Sequence, residues 1–136
     1  MVPIEIASRA IKERNPHVII SCVESWWTLV GQIDKGLFDV CGGMGHGSEG
    51  ETSVMLAVRP DLVDMTLAPQ EVVPKLPDNI KIYWKFNELT TTAATGAPRK
   101  ATAKKGQKIM QILENVLLGF ITDMDKNQWK YGNARV

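Results

Sequence analysis

His46 stands between Gly45 and Gly47, so its imidazole has little local packing and open access on both sides. An imidazole can move a proton near neutral pH or ligate a metal. The plainer alternative is a loop histidine bonded to a nearby carbonyl. Next along the chain, Ser48-Glu49-Gly50-Glu51 fits a capping box. Ser48 would cap a helix, and Glu51 would reach back to the Ser48 amide. Glu49, at the first helical position, suits the helix dipole. It could also coordinate a divalent cation with other carboxylates or histidines. Thr52 and Ser53 either complete the first turn or steady the glutamates with their hydroxyls.

The elements around this segment follow from pattern. Residues 3–13 carry Ile4, Ala7 and Ile11 at helical spacing, with Pro3 in the first turn and Asn15-Pro16 as the stop. Residues 17–23 (HVIISCV) are apolar and β-branched, which predicts a buried, parallel strand. Trp26 and Trp27 follow it, where they would line a pocket or fill a core or interface. Residues 37–41 are a short strand or a crossing loop. The stretch 41–50 (CGGMGHGSEG) has five glycines in ten residues, which calls for unusual dihedrals or close approach. A helix through Val54, Met55, Ala57 and Val58 is apolar on most sides and predicted to be well buried, with Arg59-Pro60 ending it. Prolines break up residues 67–78, residues 80–86 (IKIYWKF) pattern as a strand, and 88–98 is a small-residue loop. A long helix is expected over about 102–124, with Ile109, Ile112, Leu113, Val116, Phe120, Ile121 and Met124 as its apolar stripe. Helix and strand patterns together predict an α/β domain spanning 1–136.

Five basic residues, Arg99, Lys100, Lys104, Lys105 and Lys108, surround the start of that helix. They form a solvated face or an anion site. Lysines in a first turn oppose the helix dipole, so an acidic neighbour from elsewhere is expected. His17 fits a surface position at a strand start.

The bulk numbers narrow the function. The 136 residues are 44% hydrophobic and 23% charged, with a net charge of +1, so nothing demands nucleic acid or an anionic membrane. Two cysteines, Cys22 and Cys41, make neither a disulfide framework nor a zinc knuckle, and a cytoplasmic location is expected. HExxH, CxxC, P-loop and GxSxG motifs do not occur.

The stretch 46–65 (HGSEGETSVMLAVRPDLVDM) resembles the C-terminal signature of the creatininase (creatinine amidohydrolase) family. The segment 95–113 (TGAPRKATAKKGQKIMQIL) is similar to the family segment that opens its last helix. The resemblance implies the C-terminal part of a three-layer sandwich, with a parallel-type sheet flanked by helices. It implies metal-dependent hydrolysis of a C–N bond in a cyclic amide or related small molecule, using zinc, manganese or iron. His46 would transfer the proton, Glu49 would approach the metal, Trp26 and Trp27 would lie near the substrate entrance, and Gly45 and Gly47 would give access. The family's main ligand motifs, Glu-x-His…Asp and Asn-Gly-His, do not occur in this chain. The resemblance starts just after them, so the metal site is expected to be incomplete and the chain alone inactive. Where the family has a glutamate before the histidine, this chain has Gly45, which argues against creatinine as substrate. The rival expectation is a non-catalytic structural or regulatory subunit that pairs with a full-length relative. A homo-oligomer is also expected.

Overall fold

The computed structural model describes residues 2–40, 45–70 and 83–130. Its helices are α1 (Val2–Arg14), α2 (Trp26–Ile33), α3 (Glu49–Val58), the single turn α4 (Phe86–Leu89) and α5 (Ala103–Lys126). Short 3₁₀ turns at Pro60–Leu62, Met65–Leu67 and Pro98–Lys100 link them.

The expected parallel sheet is corrected here: among the described residues there is no strand, only an isolated bridge residue at Gly96. Residues 18–23 form no regular element, and among the described residues no backbone hydrogen bond pairs 19–23 with another segment. Ile19, Ile20 and Val23 stay exposed. A β-branched run favours extended backbone, but a strand exists only where a second backbone meets its donors and acceptors. The α/β sandwich is therefore replaced by a helical arrangement. The expected strand at 80–86 falls partly outside the described residues, and Phe86 itself opens α4. Residues 41–44 and the tail beyond 130 also lie outside them.

The apolar core joins Val30 of α2, Leu37, and Ile109 and Ile112 of α5. Trp26, Phe38, Val54 and Leu113 pack against it. The predicted stripe of α5 is largely the buried one, except that Ile121 is exposed. The prediction that α3 is well buried holds only in part: Val54, Leu56 and Ala57 are half-buried. Its buried residues are the polar end, Glu49, Gly50 and Ser53, while Met55 and Val58 are exposed. The reason is the crossing with α5, which passes closest at the N-terminal half of α3. A Cβ on Gly106 would come within 1.9 Å of the Ser53 carbonyl oxygen. Only a glycine lets the two backbones approach this way. Helix α1 buries none of its residues.

Two substitutions on α5 test the crossing. Alanine gains about 1 kcal/mol over glycine in a helix interior. A Cβ on Gly119 would meet nothing within 4 Å, so Gly119→Ala should raise the melting temperature. Gly106→Ala should lower it, because overpacking of about 1–3 kcal/mol or more outweighs the propensity gain. Thermal denaturation of the two variants beside the wild type measures both signs.

Candidate functional site

The start of α3 and the loop before it are held by a second segment. His46 N–H donates to Thr95 Oγ1 at 3.0 Å, and Thr95 N–H donates to the His46 carbonyl at 2.8 Å. Ala97 N–H donates to Ser48 Oγ at 3.3 Å, and Thr102 N–H donates to Ser53 Oγ at 3.1 Å. These side-chain bonds share one offset of 49 residues, so segments 46–53 and 95–102 run side by side in parallel. Gly45 has φ +122°, and a Cβ there would sit 1.8 Å from the Thr95 carbonyl oxygen. Its glycine identity is required by both conformation and space.

The expected capping box does not form. Ser48 is the N-cap but makes no side-chain cap bond; its hydroxyl serves Ala97. Glu51 reaches past Ser48 and accepts from Gly47 N–H at 2.7 Å. Thr52 Oγ1 donates to the Gly47 carbonyl at 3.0 Å. Thr52 and Ser53 therefore bond backbone groups rather than the glutamates.

This clasp fixes the His46 backbone at both its N–H and its C=O. The imidazole meets the Phe86 ring edge-on, with centroids 5.0 Å apart and planes at 82°. Among the described residues no hydrogen bond engages its nitrogens, and His46 is exposed. Its position is set while its ring stays accessible, which suits a proton carrier.

Glu49 is fully buried. Its Oε1 accepts from Asp39 N–H at 3.1 Å and from the Lys105 ammonium. Its Oε2 accepts from Asp39 N–H at 3.1 Å and Val40 N–H at 3.2 Å. Lys105 Nζ also bonds Asp39 Oδ2 at 2.9 Å and the Lys100 carbonyl at 3.0 Å. Glu49 and Asp39 are the acidic neighbours that the lysine-rich first turn of α5 required. The Lys105 hydrogen bond and charge hold the Asp39 carboxyl below its usual range. Burial alone would lower Lys105, but its bonds to Glu49 and Asp39 outweigh that and hold it above its usual value.

Trp26 and Trp27 contact each other edge-on at 5.6 Å and 76°. Trp26 packs on the core, and His46 takes Phe86 as its aromatic partner instead. A cleft of about 490 Å³ lies beside α2, lined by Cys22, Val23, Leu29, Val116 and Phe120, and neither tryptophan nor His46 lines it. Among the described residues no three His, Cys, Asp or Glu side chains cluster as a metal site. No described helix is long and apolar enough to cross a membrane.

Sequence reading missed Thr95, Phe86, Lys105 and Asp39 as parts of this site. The one available signal was the lysine in a first turn, set against the helix dipole.

The family model described as Creatininase: Creatinine amidohydrolase matches residues 1–121. The chain belongs to this family, and at that level it is an amidohydrolase. No curated protein and no solved structure matches it.

Two measurements test the clasp and the charge cluster. Gly45→Ala should lower the melting temperature markedly, whereas Gly36→Ala, whose Cβ would meet only Asp34 Oδ1 at 3.9 Å, should be nearly neutral. For the cluster, a carboxyl with a lowered folded pKa stabilises above its unfolded value and loses that stabilisation as acid protonates it. An ammonium with a raised folded pKa stabilises below its unfolded value and loses it as base removes the proton. The contribution of Asp39 and Lys105 is therefore full between about pH 4 and about pH 10. In thermal melts across pH, the gap between wild type and Lys105→Met should be widest in that window and narrow on both sides.

Proposed function

We propose that this chain takes part in hydrolysis of the C–N bond of a cyclic amide or related small molecule, with His46 giving the proton to the leaving nitrogen. The observation that carries this is the His46 loop: its backbone is clasped by Thr95 while its ring stays open to a substrate. Gly45 is packed against the Thr95 carbonyl, so the assignment of Gly45 and Gly47 to substrate access rests on family resemblance alone. Phe86 orients the ring, and the Trp26–Trp27 pair is assigned to the substrate entrance on the strength of family resemblance. A positioned general acid of this kind contributes roughly 10²–10⁴-fold to rate.

Family members generally use a divalent metal. The described residues do not fit one at Glu49, because both carboxylate oxygens already accept bonds and an ammonium lies against them. Because the family's ligand motifs do not occur in this sequence, we assign the metal ligands to a full-length relative. The proton-transfer role of His46 does not depend on where those ligands lie.

The saturated Glu49 also favours a second reading, a non-catalytic subunit of the same family that pairs with a full-length relative. One experiment separates the two. The chain is co-expressed with a full-length creatininase-family protein, and ring opening of cyclic amides is assayed in the purified complex and in the chain alone. The catalytic reading expects no turnover by the chain alone. It expects turnover in the complex that falls about 10²-fold or more when His46 of this chain becomes Asn. A complex whose rate ignores His46→Asn overturns that reading and leaves the structural subunit.

A further inference from the structure

Glu49 was a candidate metal ligand by residue type and position, yet its surroundings already resemble a filled cation site. Three oxygens converge on one point: Asp39 Oδ2, Glu49 Oε1 and the Lys100 carbonyl. An all-oxygen set that includes two carboxylates is the kind that hard divalent cations take. The point is occupied by Lys105 Nζ, whose three N–H donors match the three oxygens one for one.

We propose that Lys105 is the resident cation of this oxygen cage, so that Glu49 in this chain anchors the fold and binds no metal. The carboxylate has about four acceptor positions. All four are used: the Asp39 N–H shared between both oxygens, the Val40 N–H, and the Lys105 ammonium. Glu49 is fully buried, and the Lys105 side chain is only 19% exposed. A metal could enter only by expelling the ammonium, and the two cations would repel each other at close range. The internal lysine has a further consequence. It is covalently part of α5, so the cage ties the 37–40 segment, the start of α3 and the start of α5 together without an exchangeable ion.

The inference rests on the geometry of the cage and not on the hydrolytic reading, so a failed activity assay leaves it standing. The test uses manganese chloride as the probe, with thermal melting and the manganese electron paramagnetic resonance signal as readouts. In Lys105→Ala the three oxygens lose their cation. Manganese should then raise the melting temperature by about 5 °C or more at saturating concentration. Lys105→Ala combined with Glu49→Gln should lose that rise. In the wild-type background, Glu49→Gln should lower the melting temperature, and any effect of manganese should be the same with and without the substitution. The proposal is overturned if Lys105→Ala gains no manganese-dependent rise. It is overturned equally if manganese binds the wild type and Glu49→Gln abolishes that binding. If Lys105→Ala cannot be purified folded, the Glu49→Gln comparison in the wild-type background decides alone.

Discussion

Glu49 holds a carboxylate at a position with no solvent exposure, and the arrangement of the described chain is organised around that charge. Removing a carboxylate from water costs several kcal/mol unless geometry and hydrogen bonding compensate. Here the compensation comes from three separate parts of the chain: the Asp39 and Val40 amides, the Lys105 ammonium, and the N-terminal end of α3 itself. Each supplier is thereby fixed relative to the others. Lys105 is followed directly by Gly106, where α5 comes closest to α3. The charge pair and the backbone crossing therefore lie at one place, and neither is satisfied without the other.

The His46 loop depends on the same junction. Segments 46–53 and 95–102 run together because Ser53 and Ser48, buried on the face of α3 and at its cap, accept bonds from Thr102 and Ala97. His46 and Thr95 extend that pairing by one step. The two stretches that carry the family resemblance are thus the two that touch. Hydroxyls and small residues recur there because backbone meets backbone, and bulky side chains would hold the segments apart.

Legibility followed locality. Helices α1, α3 and α5 were readable from periodicity, caps and breakers, since those signals act within a few residues. The start of α3 at Glu49 and of α5 at Ala103 matched the Ser and Thr that precede them. Helix α2 was not legible: its tryptophans directly follow an apolar run that patterns as a strand, and its N-cap Ser25 adopts a left-handed conformation that propensity does not anticipate. The strands were expected from β-branched composition, but pairing is a property of two segments and composition describes one.

The sequence by itself determined the chemistry available at residues 45–53: an imidazole between glycines, a carboxylate at a helix start, and a hydroxyl-rich first turn. It also determined the family, because order and spacing of two motifs are one-dimensional facts. Only the tertiary structure decided what each group does. It turned Glu49 inward to a lysine 56 residues away, sent Glu51 to Gly47 rather than Ser48, and gave His46 a phenylalanine neighbour. The reason is that a charge or hydroxyl takes whichever partner the packing brings within about 3 Å, and packing between distant segments is not written in the spacing of either one.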